Sequence, residues 1–279
     1  MNKNPSVTTK SITCSHTVSE IAPTTLEINH CHDDYELLFI VDGRGKYILE
    51  GSELPVVPGT LMCARPLEYH CIKISAGTPY ERYVLHFTPS AVLPEAKEIF
   101  ESVIARRDED AYSAFTLSES FIGIFDRFLL AASLEEEKRE SFMRLVLSEL
   151  IMLLSVSRGQ TRTLDDGEIG ARVIKYLNEN IEKNISLDKI AKRFFVSKYY
   201  LCRAFKKHNG ISVHGYINRK RVMLAKQLIE SGETASGAAY RVGFGDYSAF
   251  YRAYVKVLGE APTSNLRVPV GVKGENNEF

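Results

Sequence analysis

Residues Leu187-Asp-Lys-Ile-Ala-Lys-Arg-Phe-Phe-Val-Ser197 run directly into Lys198-Tyr-Tyr-Leu-Cys-Arg-Ala-Phe-Lys-Lys207. The pattern returns further on as Thr234-Ala-Ser-Gly-Ala-Ala-Tyr-Arg-Val-Gly-Phe244 and then Gly245-Asp-Tyr-Ser-Ala-Phe-Tyr-Arg-Ala-Tyr254. Each copy reads as a short helix, a tight turn and a second helix. The first helix has a central alanine, Ala191 or Ala239, small enough to let the second helix cross closely. The second helix spaces an apolar residue, an arginine and an aromatic two apart: Leu201, Arg203, Phe205 and again Phe250, Arg252, Tyr254. This is the helix-turn-helix pattern, whose second helix fits the DNA major groove.

Nearly everything after Gly167 reads as helix, with segments at about 170–181, 187–194, 198–207, 213–231, 235–242 and 246–258, and a short one after Pro262. Ser186, Ser197 and Ser212 stand where a side-chain oxygen can cap a helix start. Gly210, Gly232 and Gly259 stand where a left-handed residue ends one. The breaker-poor run Ser212–Ser231 spans ~30 Å as a helix, close to the ~34 Å of one DNA turn. A rod of that length can set two recognition helices in successive major grooves.

Charge separates the halves. The net charge of the 279-residue chain is zero. Residues 1–164 hold 16 Lys and Arg against 23 Asp and Glu, whereas residues 165–270 hold 18 against 10. An acidic half and a basic half suit one part that avoids nucleic acid and one that seeks it. With 44% apolar and 25% charged residues the composition is that of a globular protein. No run reaches the ~18 apolar residues of a spanning helix, and the N-terminus lacks an apolar signal segment. A cytoplasmic protein without membrane contact is expected. Five cysteines, an odd number without a CxxC pair, argue against a disulfide framework or zinc knuckle.

In the acidic half, residues 26–88 hold short apolar runs (LLFIV, KYILE, LPVV, TLMCA, CIKI, RYVLHF) separated by turn signals such as Asp42-Gly43-Arg44-Gly45 and Pro58-Gly59. This predicts a sandwich or barrel. From about residue 93 the period becomes helical, with Phe121, Phe125, Phe128 and Leu129, then a second helix from about Leu134 to Val156. The apolar stripe of that second helix is wider than one buried face needs. Deep burial or a second subunit would each account for it. Arg158–Gly167 reads as the linker. Within His30-Cys-His32-Asp-Asp-Tyr-Glu36, alternation places His30, His32, Asp34 and Glu36 on one strand face, and His70 supplies a further imidazole. Such ligands suit a divalent transition metal.

Residues 170–267 resemble the DNA-binding domain of AraC-type bacterial transcription regulators. The resemblance is carried by Leu187, Ile190-Ala191, Val196-Ser197, Tyr200-Leu201, Arg203, Phe205-Lys206, Gly210, Tyr216, Arg219, Arg221, Ala225 and Leu228-Ile229, then Ala239, Val242-Gly243-Phe244, Phe250, Arg252, Lys256, Gly259 and Pro262. Departures are Phe195 in the first turn, Ala235, Gly237 and Ala238 in the second unit, and Asn265-Leu266-Arg267 after Pro262. The helical faces leave Lys198, Tyr199, Cys202, Arg203 and Lys206 outward. The resemblance implies that Tyr199, Cys202 and Arg203 reach base edges, with Tyr247, Ser248, Tyr251 and Arg252 matching them in the second unit. Arg suits guanine, whose two acceptors meet its fork. Lys198, Lys206, Lys207, Arg219 and Arg221 are expected on phosphates or in water.

The spacing HxH-x3-E-x6-G resembles the first cupin motif, and Gly59, Pro66 and His70 loosely resemble the second. The rival this raises is a metal-dependent cupin enzyme fused to a DNA-binding domain. The glycine expected before the first His is absent, with Thr24 near that place. The second motif is one residue short, and sensor domains of AraC-type regulators keep HxH…E without catalysis. The expectation is therefore a pocket of His30, His32, Glu36, Arg65, Tyr69 and His70, with His86 and Arg82 as weaker members and Tyr35 as packing. No catalytic residue, metal or cofactor is assigned.

The expected fold is α+β. A cupin-like β-barrel sensor (1–92) carries a helical dimerisation and coupling extension (93–157). A linker (158–167) leads to an all-α tandem helix-turn-helix domain (168–267) and a disordered tail (268–279). The expected function is a one-component, sequence-specific transcription regulator that senses a small molecule, a sugar or other metabolite. Its partners would be double-stranded DNA, the effector and a second copy of itself, with RNA polymerase as a further candidate.

Overall fold

The computed structural model describes residues 4–21, 30–106, 111–161 and 169–262. Thr24, residues 162–167 of the linker, the short helix after Pro262, Asn265–Arg267 and the tail lie outside the described residues. The chain forms two compact units. The larger comprises residues 1–180 with 185–215, and the smaller 181–184 with 216–279.

Among the described residues the larger unit holds ten strands: β1 (Ser6–Thr8), β2 (Ile12–Ser19), β3 (Tyr35–Asp42), β4 (Gly45–Leu49), β5 (Ser52–Val56), β6 (Thr60–Ala64), β7 (His70–Ile74), β8 (Tyr80–Phe87), β9 (Tyr112–Thr116) and β10 (Arg158–Thr161). They make two antiparallel sheets, ordered β1-β2-β8-β3-β6-β9-β10 and β5-β4-β7. The cupin-like sensor is thus a pair of sheets rather than one closed barrel. Period-2 alternation gives β3 two buried faces. Leu38 and Ile40 join Tyr47, Leu49, Leu54, Val56 and Ile72 of the small sheet in one core. Tyr35, Leu37 and Phe39 join the helices in another.

Those helices are α1 (Lys97–Phe100), α2 (Ile122–Leu130) and α3 (Glu136–Ser155). Met143, Val146, Leu147, Leu150, Ile151 and Leu154 of α3 are buried against the large sheet and α2. Leu145 is 60% and Met152 40% exposed. Tyr35 stacks on Phe87, so it is packing, as its strand face implied.

The extension also contains a strand. β9 pairs with both β6 and β10, so Arg158–Thr161, the opening of the linker in the sequence reading, completes the sheet edge. Gly159 permits this, because a Cβ there would lie 2.4 Å from the Tyr112 ring.

The helical half matches its expected segments: α4 (Ile169–Asn180), α5 (Leu187–Arg193), α6 (Lys198–Asn209), α7 (Val213–Glu230), α8 (Ala235–Arg241) and α9 (Tyr247–Leu258). Ser186, Ser197 and Ser212 accept from the backbone N–H of Lys189, Tyr200 and Gly215. Thr234 and Asp246 cap α8 and α9 in the same way. Gly210 and Gly259 adopt φ of 69° and 77° and close α6 and α9. No described helix is long and apolar enough to cross a membrane.

Candidate functional site

α6 and α9 present their faces as the helical spacing requires. Leu201 and Phe205 of α6 are buried, while Lys198, Tyr199, Arg203 and Lys206 are exposed and Cys202 is half-buried. On α9, Phe250 and Tyr254 are buried and Tyr247, Ser248, Tyr251 and Arg252 are exposed. Lys198 pairs with Asp188 at 2.7 Å across the turn, a surface pair that phosphate can displace at little cost. Phe195 in that turn is 95% exposed at φ 55°, a left-handed conformation that Gly243 supplies in the second unit.

One basic residue leaves the DNA-facing set. Arg221, expected on phosphate or in water, is buried in the smaller unit. Its guanidinium donates to the carbonyls of Ile181 (2.9 Å), Lys183 (2.6 Å) and Gly243 (2.8 Å). It joins α7, the segment before α5 and the turn after α8. The planar fork suits three carbonyls in a way a solvated lysine would not.

In the sensor, the histidine cluster forms, but not on one strand face. β3 begins only at Tyr35, so His32 comes from the preceding loop and His30 reaches the cluster through a bridge to His70. The Asp34 carbonyl accepts from His32 Nδ1 at 2.9 Å. His70 Nδ1 likewise donates to the Glu68 carbonyl at 2.9 Å. Both rings therefore point Nε2 at Glu36 Oε2, from 3.2 Å and 3.4 Å. His86 Nε2 stands 3.5 Å from the same oxygen, because Glu36 and His86 are cross-strand neighbours in the β3–β8 register.

Burial would push the Glu36 carboxyl up, but the His32 and His70 hydrogen bonds and the imidazole charges hold it well below the usual carboxylate range. For His70 burial acts downward, and the bonds to Glu36 and Glu68 outweigh it and raise the ring. For His86 burial, helped by the neighbouring His32 and His70, outweighs the pull of Glu36 and Asp34, and the ring is lowered.

A cavity of about 270 Å³ opens on this cluster, lined by His30, Glu36 and His70 together with Tyr47, Arg82 and His86. Arg82 and His86, the weaker candidates, are brought into the pocket, and so is Tyr47, which sequence reading missed. Arg65 and Tyr69 do not line it. Arg65 is fully buried and donates to the Glu68 carboxylate and, at 2.5 Å, to the Tyr112 carbonyl. Tyr69 neighbours His70 in an extended segment, and adjacent residues there face opposite ways.

Within the larger unit the β4–β5 turn links this pocket to the first helix-turn-helix. Glu50 accepts the Tyr69 backbone N–H at 2.6 Å, and its other oxygen accepts from Asn178 of α4. His208 of α6 donates to the Gly51 carbonyl at 2.7 Å. A second cavity, of about 620 Å³, lies between Ile48, Glu53 and Lys73 of the sensor and Tyr199, Arg203 and Lys207 of α6.

A double-sheet domain with a polar pocket, followed by two capped helix-turn-helix pairs in a basic half, defines the class: a DNA-binding regulator with a ligand-binding domain. Residues 19–155 match the family model of the AraC-like ligand binding domain, and residues 190–267 match that of a helix-turn-helix domain. The chain belongs to the AraC family of transcription regulators. The uncharacterized HTH-type transcriptional regulator YbfI of Bacillus subtilis is 26% identical over 229 residues, covering 79% of this chain and 80% of that one. The HTH-type transcriptional activator RhaS of Salmonella arizonae is 22% identical, covering 84% and 85%. Among solved structures, ToxT of Vibrio cholerae covers 91% of this chain and 96% of its own at 14% identity, with a TM-score of 0.38.

Proposed function

We propose that this regulator senses a small polar metabolite, a sugar or a molecule of similar size, in the cavity beside Glu36, and that the β4–β5 turn carries the signal to α4 and α6. The observation that carries this reading is Glu50. Its carboxylate is bonded to the backbone next to His70 on one side and to Asn178 on the other. A ligand that moves His70 therefore acts on a helix packed beside α6. It must prefer one arrangement of these bonds, since a ligand indifferent to both switches nothing. Tyr199 and Arg203 border the cavity shared with Glu53 and Lys73, so sensor strands and DNA approach the same helix. The protein works in the cytoplasm and without catalysis.

Thermal shift of the full chain against a metabolite panel identifies the effector. DNA affinity is then measured with and without it, on sites selected from a random duplex pool. Glu50→Gln weakens bonds to a charged acceptor that contribute about 1.5–3 kcal/mol each. The effector-dependent change in DNA affinity is expected to shrink about fivefold, a loss that fits typical coupling energies. Basal affinity should stay as it is. An unchanged effector response in Glu50→Gln would remove the β4–β5 turn from the pathway.

The assembly reading is a homodimer through α3. Leu145 and Met152 stand seven residues apart on the exposed side of a helix whose other side is already buried. Leu145→Glu with Met152→Glu should convert a dimer to a monomer by light scattering. DNA binding should weaken about 10- to 100-fold as effective concentration is lost. A double variant that stays dimeric would place the interface elsewhere.

A further inference from the structure

We propose that Phe195, in the turn between α5 and α6, reads a thymine methyl at the edge of the sequence that α6 recognises. The two helix-turn-helix pairs make the same turn. In the first, the Phe195 N–H donates to the Lys192 carbonyl at 3.3 Å and the Val196 N–H to that of Ala191 at 3.0 Å. In the second, Gly243 and Phe244 donate to the carbonyls of Tyr240 and Ala239, each at 3.0 Å. The shared position has φ 55° at Phe195 and 93° at Gly243. Glycine enters this left-handed region freely, whereas a bulky side chain there is strained. The turn itself asks for no side chain, since the second unit builds it without one.

The strain brings no packing with it. Phe194, one residue earlier, packs edge-on against Tyr176 with ring centres 6.0 Å apart, and the Arg172 guanidinium lies 5.3 Å from its ring. Phe195 is 95% exposed. It burdens the folded chain twice, with a strained backbone and with apolar surface left in water. A residue of that kind points to a contact made only in a complex.

The flanking charges and the place in the motif identify the partner as DNA. From Lys189 to Lys198 the chain carries three lysines and an arginine and no acidic residue. Lys192, Arg193 and Lys198 are exposed on either side of Phe195 in the chain, which suits a polyanion. Phe195 stands two residues before Ser197, the N-cap of α6, and four before Tyr199 on its outward face. A recognition helix meets base edges with its N-terminal residues. A ring at that end therefore lies at the major groove, where the thymine methyl is the apolar feature that a phenyl group can meet.

The test is a cycle on the full chain and on duplexes selected from a random pool, in which each thymine in turn is replaced by 2′-deoxyuridine. The replacement removes the methyl and nothing else. At the contacted thymine the wild type is expected to lose about fourfold in affinity, the worth of one buried methyl-sized group. Phe195→Gly should bind the unmodified duplex about fivefold more weakly, random duplex almost as before, and lose nothing further at that deoxyuridine. It should melt no lower than wild type, because glycine accepts φ 55° without strain. Equal affinity of wild type and Phe195→Gly for the selected duplexes overturns the proposal. If transcription from such a site falls all the same, the ring serves a protein partner instead. Weaker binding by Phe195→Gly with every deoxyuridine penalty intact also overturns it, and leaves Phe195 a role only in shaping the turn.

Discussion

Arg221→Ala is expected to cost on the order of 3 kcal/mol in the smaller unit, because it strands several buried acceptors at once. The guanidinium serves three backbone carbonyls from two separate segments and lies 5.9 Å from the centre of the Phe244 ring. Each carbonyl left unpaired in a buried place costs about 1–3 kcal/mol, and water entering the gap recovers part of that. The residue is charged, yet its loss is felt as lost structure. Arg221→Lys should recover little, since one ammonium cannot copy a planar fork. Hydrogen exchange on the full chain reads the effect directly: amides of α8 and α9 should exchange about 100-fold faster. Unchanged protection together with weakened DNA binding would return Arg221 to the phosphate-binding role that its place in the basic half suggested.

That reversal shows where the sequence stops being legible. The helical half could be read closely because its signals are local. Caps at Ser186, Ser197 and Ser212 and stops at Gly210 and Gly259 lie within a few residues of what they control. An arginine in a helix gives no local sign of whether it meets solvent or distant carbonyls. The strands β1 and β2 went unread for a related reason. In β2 only Ile12 and Cys14 are fully buried, and the polar residues between them look like loop. The pocket was half legible. His30, His32, Glu36 and His70 announce themselves by residue type. The presence of His86 depends on the pairing of Glu36 with His86, and that of Arg82 on the pairing of Ile40 with Arg82, both in the β3–β8 register. Tyr47 depends on β4 lying beside β7. Such registers follow from the whole hydrophobic pattern of two sheets, not from a motif. Arg65 and Tyr69 lie near His70 in sequence, but they are not among the residues lining this cavity.

Arg203→Ala is expected to weaken binding to selected sites by about 1–3 kcal/mol while changing binding to random duplex much less. Arg203 is exposed on the outward side of α6, opposite the buried Leu201 and Phe205, with Tyr199 one turn earlier on the same face. An arginine so placed at a groove-entering helix can give two donors to guanine O6 and N7, and this is the contact that discriminates between bases. A phosphate contact would behave differently, lowering affinity for all sequences alike and reducing the salt dependence by about one counterion. The two outcomes separate in one experiment, titration of selected and random duplexes at several salt concentrations. Arg252→Ala on α9 should show the same selectivity with a smaller loss. Its unit packs Ala235 and Ala238 where larger side chains would hold α8 more firmly, and a looser frame aims its side chains less well. Equal losses on selected and random DNA for Arg203→Ala would reduce it to a phosphate anchor and shift sequence reading to Tyr199 and Cys202.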